Sequence, residues 1–162
     1  MPARQPDLKL LLSHPAHLLS LGFGSGLAPR APGTFGSLAA IPFYLLLACW
    51  LSPLAIALLA IPLFALGVPV CDRTGRALGV SDHGAIVWDE IVAMLPLLAL
   101  APQGWLGWGA AFALFRLFDI WKPWPIRWID ARVKGGLGVM LDDALAAVPA
   151  AALLWLASPW LA

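Results

Sequence analysis

Charge is what this 162-residue chain has least of: 12 % of its residues are charged and 61 % are hydrophobic, where soluble domains carry roughly 25 % charged residues. Together with a mean hydropathy of +0.85, this excludes an ordinary soluble domain and indicates an integral membrane protein of one domain, residues 1–162. The net charge of +1 supplies no basic surface, which excludes a nucleic-acid partner. Cysteine is scarce. Cys49 and Cys71 match no metal-ligand spacing and form no disulfide framework, so they read as small apolar residues in packed helices. A clear small-residue cleavage site is missing after LKLLLSHPAHLLSL, which follows Arg4 and is broken by His14, Pro15 and His17. That stretch reads as an interfacial helix rather than a cleaved signal peptide.

Charge is also missing in particular places. From Leu38 to Val70 no residue is charged; this is too long for one span of about 20 residues, so a helical hairpin is expected, turning at Ser52-Pro53. A polar segment, 72–90, follows. Two shorter apolar runs, Ile91–Ala101 and Trp105–Phe115, flank the turn signal Pro102-Gln103-Gly104. They reach spanning length only if their helices take in Asp89, Glu90, Arg116 and Asp119. A last run occupies residues 144–162. The expected fold is all-α, a compact polytopic membrane helical bundle of about four to five membrane helices. The turns near Ser52 and Gln103 hold no charge; every Lys, Arg, Asp and Glu lies within residues 1–30, 72–90 or 116–143. Five crossings put all three blocks on one side, and the positive-inside bias makes that side cytoplasmic. Most of Trp88, Trp105, Trp108, Trp121, Trp124, Trp128, Trp155 and Trp160, near the helix ends, read as an interfacial belt rather than a ligand cage.

The few acids present are concentrated at helix ends: Asp89-Glu90 opening the third run, Asp119 closing the fourth, and Asp142-Asp143 opening the last. Helices that emerge together bring such carboxylates together, and carboxylates at one point repel unless a cation sits among them. Hard oxygen ligands from several helices suit Mg²⁺. The alternative is helix-start acids that favour the macrodipole, plus surface ion pairs. Asp119 fits that alternative poorly, because an acid at a helix C-terminus opposes the dipole. Asp142 and Asp143 point about 100° apart on a helix, so one is expected to be a direct ligand, Asp142 by preference, with the other behind it or facing outward. Arg116, Asp119 and Lys122 follow one another at intervals of three, along one helix face, and Pro123 and Pro125 end that helix. Arg127, Arg132 and Lys134 follow; they serve either as headgroup anchors or as partners for a phosphate. In LGFGSGLAPRAPGTFGSLAAIP, Thr34 or Ser37 offers a cap for the first membrane helix, and Arg30 with backbone N–H groups offers an anion site. His83 reads as a hydrogen-bonded loop histidine, with a ligand or acid/base role as the alternative.

Four stretches, GSGLAPRAPGTFGSLAAIP, DHGAIVWDE, FRLFDIWKPWPIRWID and KGGLGVMLDDALA, occur in this order over roughly residues 22 to 146. Together they resemble the phosphatidylglycerophosphatase A family. The resemblance implies a bacterial inner-membrane, Mg²⁺-dependent phosphoric monoester hydrolase that converts phosphatidylglycerol phosphate to phosphatidylglycerol and inorganic phosphate. The arrays that other membrane lipid enzymes need are missing: the complete Asp-rich CDP-alcohol phosphotransferase motif, the paired catalytic histidines of type-2 phosphatidic acid phosphatases, and an Asp-x-Asp nucleophile. The expected assignment is therefore Asp89, Glu90, Asp119, Asp142 and Asp143 as Mg²⁺ ligands and catalytic carboxylates, and Arg30, Thr34, Arg116 and Lys122 as substrate-binding residues. The partners are the bilayer and its phospholipid. Water activated by a carboxylate and a covalent aspartyl-phosphate are both open mechanisms. A small ion-coupled transporter or a non-catalytic assembly subunit are the competing readings. The charge-free outer turns count against a transporter, because a path across the membrane needs polar stations at both faces.

Overall fold

The computed structural model describes residues 5–161, so Arg4 lies outside the described residues. Among the described residues every regular element is helical. The N-terminal stretch forms two short helices, α1 (Leu8–Ser13) and α2 (Pro15–Ser20), separated at His14. His14 caps α2 through Nδ1, which accepts from Ala16 N at 3.0 Å, and Pro15 at the first helical position needs no donor partner. A 3₁₀ segment (Gly22–Leu27) follows.

α3 (Pro32–Ala48) and α4 (Pro53–Leu78) form the expected hairpin. Its turn is at Ser52, whose hydroxyl accepts from Ala55 N at 3.3 Å. The boundaries differ from expectation at both ends. α3 begins at Pro32, so Thr34 and Ser37 lie inside it and cap nothing; Ser37 Oγ donates back to Gly33 O at 2.9 Å. Pro32 explains this, since its ring fixes φ and starts the helix without a side-chain cap. α4 runs to Leu78 and so takes in the charged start of the polar segment 72–90. Asp72 and Arg76 pair at 2.6 Å one turn apart, and Gly79 at φ +81° ends the helix in the left-handed region.

α5 (Trp88–Leu100) is the central helix, with ten of its thirteen residues buried. α5 packs against α3, α4 and α8. α6 (Trp105–Trp121) follows the Pro102–Gly104 turn, and α8 (Gly135–Leu161) closes the bundle against α4, α5 and α6. An additional helix, α7 (Ile126–Arg132), packs on α8. Tyr44 Oη, near the end of α3, donates to Gln103 Oε1 at 3.2 Å, so the two charge-free turns share one end of the bundle. α4 and α8 are the helices long and apolar enough to cross a membrane, and α3 is a shorter apolar helix.

The surface is inverted relative to that of a soluble protein. Leu54, Ile61, Leu106, Ile120 and Val148 are exposed, while Asp89, Glu90, Asp142 and Asp143 are buried. Such an outside suits hydrocarbon. Two tryptophans leave the expected belt. Trp88 is 2 % exposed, sits beside Phe23 and Phe43, and donates Nε1 to Leu63 O at 3.3 Å. Trp108 is buried against Tyr44 and Trp105. Both face inward because α5 and α6 turn those faces to the core. Trp105, Trp121, Trp124, Trp128, Trp155 and Trp160 are exposed.

Candidate active site

The start of α5, the end of α6 and the start of α8 meet at the charged end of the bundle. Asp89, Asp142 and Asp143 each place a carboxylate oxygen within 4.8 Å of the others. Both aspartates of the α8 pair are buried, Asp143 at 3 % exposure. Neither is therefore outward-facing, the second of the two alternatives expected for the partner of a direct ligand. Helical rotation separates them, but α5 and α6 flank this part of α8 and receive both side chains. Gly136, about two turns earlier, lets α8 approach α4 closely: a Cβ there would overlap Val68 O and come 2.8 Å from Asp72 N.

Two cations accompany the cluster. Lys122 Nζ bonds Asp142 Oδ2 and lies 3.3 Å from Asp130 Oδ2. Lys122 stands just beyond α6 in a left-handed conformation, φ +44°. Partial burial works against its charge, yet its hydrogen bond to Asp142 and the charges of Asp142 and Asp130 push its amine above the usual lysine range. Arg116 bonds Asp119 Oδ2 and lies 3.9 Å from Glu90 Oε1. That guanidinium explains an acid at the end of α6: Asp119 answers Arg116 three residues before it. Glu90 and Asp119 therefore flank the three-aspartate group, and Asp143 lies within electrostatic range of both.

Several polar atoms here are buried without a hydrogen-bond partner: Asp89 Oδ1, Glu90 Oε2, Asp143 Oδ2 and Arg116 Nε. Buried polar atoms are normally paired. Asp89 and Asp143 each keep an unpartnered carboxylate oxygen, and with Asp142, whose oxygens accept from Lys122 Nζ and Asp143 N, they offer oxygens close enough to share one ion, which matches the preference of a hard divalent cation. The donor set thus fits Mg²⁺, with Asp89, Asp142 and Asp143 as the residues that would hold it.

The glycine segment reaches the site through Gly33. A Cβ there would overlap Glu90 Oε1 and stand 3.3 Å from the Arg116 guanidinium, so α3 brings bare backbone against the Glu90–Arg116 pair. Thr34 is the next residue, half-buried. Arg30 is exposed in the connection before α3 and makes no ion pair among the described residues. His83 stays outside the cluster; its Nδ1 accepts from Ala85 N at 3.2 Å, a turn bond. Sequence reasoning missed Asp130, the second anion on Lys122. Its position on α7, one short helix after the Lys122 turn, was the available signal. Beyond Lys122 an open cleft of about 610 Å³ is lined by Arg127, Arg132, Trp121, Trp124 and Trp128. Arg132 lies 4.1 Å above the Trp128 ring, a cation–π contact.

The profile of the family described as Phosphatidylglycerophosphatase A matches residues 18–158. A Phosphatidylglycerophosphatase A of Escherichia coli is 48 % identical over 150 residues, covering 91 % of this chain and 86 % of that protein. One from Haemophilus influenzae is 43 % identical over 162 residues, 99 % of each chain. A putative phosphatidylinositol-3-phosphatase of Bacteroides thetaiotaomicron is 41 % identical over 138 residues, 81 % of this chain and 86 % of that one. No solved structure gives a significant match.

Proposed function

The chain belongs to the phosphatidylglycerophosphatase A family, and from that premise we propose that this phosphatase hydrolyses phosphatidylglycerol phosphate, Mg²⁺-dependently, at the cytoplasmic face of a bacterial inner membrane. The observation that carries the site assignment is the Asp89–Asp142–Asp143 group, three buried carboxylates within 4.8 Å, beside Arg116 and Lys122. When bound, a divalent cation supplies Lewis acidity toward a phosphoryl oxygen and offsets the repulsion among the three acids.

The remaining work falls to side chains. Arg116 and Lys122 lie where negative charge accumulates on the phosphoryl oxygens, and each is held by carboxylates: Arg116 by Asp119 and Glu90, Lys122 by Asp142 and Asp130. Fixed, partly desolvated cations stabilise that charge more than mobile ones in water, because they need no reorganisation. A carboxylate of the cluster takes a proton from the attacking water. The water oxygen bonds to phosphorus, the bond to the lipid glycerol oxygen breaks, and the lipid alcohol leaves with a proton. Arg30 and Thr34 at the start of α3, and the basic cleft beyond Lys122, serve the headgroup.

The concentration of charge at the same end of the molecule supports a membrane placement. α3, α4, α5, α6 and α8 cross as a five-helix bundle, with the carboxylate end on the side of the basic residues. The acyl chains then stay in the bilayer while the monoester phosphate reaches the cluster and leaves into the cytoplasm.

Purified protein given phosphatidylglycerol phosphate in mixed micelles should release phosphate with Mg²⁺ and not with EDTA. Asp89→Asn, Asp119→Asn and Asp142→Asn should each lower turnover by at least about 100-fold while the protein still inserts and folds. Near-normal turnover in two of the three variants would sink the assignment. Orientation is read separately: a cysteine at Asp82 should react with an impermeant maleimide in inside-out vesicles, and one at Gln103 in right-side-out vesicles.

A further inference from the structure

Two apolar hollows lie between α4, α5 and α8, of about 260 and 540 Å³. Both are walled by Ala57, Pro96, Ala144 and Ala147, so they form one continuous groove. It exists because the facing residues are small. Ala144, Ala147 and Ala151 recur at intervals of three and four on α8, one face of a helix, and Ala57 lies opposite on α4. The smaller hollow ends at Asp89 and the larger one at Pro53 and Leu100. The eleven helical steps from Asp89 to Leu100 on α5 correspond to about 16 Å at 1.5 Å per residue. Exposed Leu54, Ile61 and Val148 border the groove, so it opens toward the surrounding apolar phase.

One end of the groove is not apolar. Asp89 is 8 % exposed, lines the smaller hollow, and leaves Oδ1 without a hydrogen-bond partner. The same residue belongs to the carboxylate group. A groove of this shape suits an amphiphile with a phosphate at one end and a hydrocarbon chain at the other. We propose that the α4–α5–α8 groove binds an acyl chain of the phospholipid whose headgroup phosphate lies over the Asp89–Asp142–Asp143 group. The inference deepens the lipid-phosphatase reading and rests on it for the identity of the headgroup. The groove draws the lipid in sideways from the leaflet. Its alanines set the chain length that is accommodated.

The test uses phosphatidic acid with a diazirine at the chain end, in phosphatidylcholine vesicles holding the full-length Asp142→Asn protein, so that labelling does not depend on turnover. Adducts should concentrate on groove residues of segments 93–100 and 144–151. Ala151→Phe at the groove mouth, and Ala147→Leu as the milder second variant, should each reduce them about tenfold. Leu153→Phe, on exposed α8 surface outside the groove, should not. In the Asp142-intact protein, Ala151→Phe should raise the ratio of KM for long-chain over short-chain substrate about tenfold. Adducts spread evenly over exposed apolar positions, or unmoved by both groove variants, overturn the proposal. So does a groove covered by a second copy, seen as an adduct-free groove in a dimer that Ala151→Phe converts to monomers. Groove labelling without phosphate release by the wild type would defeat the enzymatic reading and leave the lipid groove standing. Phosphate release without groove labelling would do the reverse.

Discussion

Asp143→Asn should make the protein more stable and less active at once. At most 4.8 Å separates the ligand oxygens of Asp89, Asp142 and Asp143. At an effective dielectric constant of about 20, two unit charges at that distance repel by about 3.5 kcal/mol. Lys122 answers Asp142, and Arg116 is shared by Glu90 and Asp119, which leaves the repulsion between Asp89 and Asp143 without a cation in metal-free protein. With both acids ionised, removing it gains up to about 3.5 kcal/mol, less whatever a proton on the buried pair already relieves, and burying an imperfectly bonded amide returns about 1–2 kcal/mol. The net is at most about 2 kcal/mol, or an increase of up to about 4–8 °C in melting temperature for a chain this size. Mg²⁺ should reverse the order. At 100 times its Kd an ion stabilises the wild type by about 2.7 kcal/mol, and the variant, short of one ligand, should gain far less. Thermal unfolding in detergent with EDTA and then with a Mg²⁺ series, alongside phosphate release, reads all three effects. If the variant melts at or below the wild type in EDTA and both gain equally from Mg²⁺, these aspartates are not a cation site. Turnover within about tenfold of wild type would remove Asp143 from the chemistry.

Lys122→Met leaves Asp142 buried without its cation and should cost about 2–3 kcal/mol; adding Asp142→Asn should restore most of the stability and none of the turnover, a double-mutant cycle followed by melting and phosphate release. Gly33→Ala should displace Glu90 and Arg116, with an activity loss of at least about tenfold and a stability cost of about 1–3 kcal/mol. Wild-type activity in that variant would show that α3 does not position the pair. His17 lies on α2, outside the long helices, with Nδ1 2.8 Å from Thr74 Oγ1; burial, then the charges of His14 and Arg73, hold its pKa below the ordinary value of 6.5. A base with a lowered folded pKa contributes stability that is complete above the unfolded pKa and is lost as pH falls below about 6.5. Melting temperature between about pH 5 and about pH 7.5 should therefore fall on the acid side, and His17→Asn should flatten that part of the profile.

Composition alone determined that this chain is apolar on the outside and polar at one end. With few charges to place, their confinement to three blocks and their absence from the turns at Ser52 and Gln103 mark out the bundle's two ends before any helix is drawn. Start and stop residues were equally legible: Ser52-Pro53 opens α4, and Pro123 and Pro125 follow the end of α6. These are local effects of backbone geometry, so the local sequence contains them. Thr34, Ser37, Trp88 and Trp108 were misread because each one's role depends on what packs against it. Only the tertiary structure decided that Asp142 and Asp143 both point inward, that Lys122 answers Asp142 and Asp130 together, and that Gly33 lies against Glu90. Those relations join residues from separate helices. Their geometry is set by crossing and close approach at Gly33 and Gly136, which residue spacing along one chain does not encode.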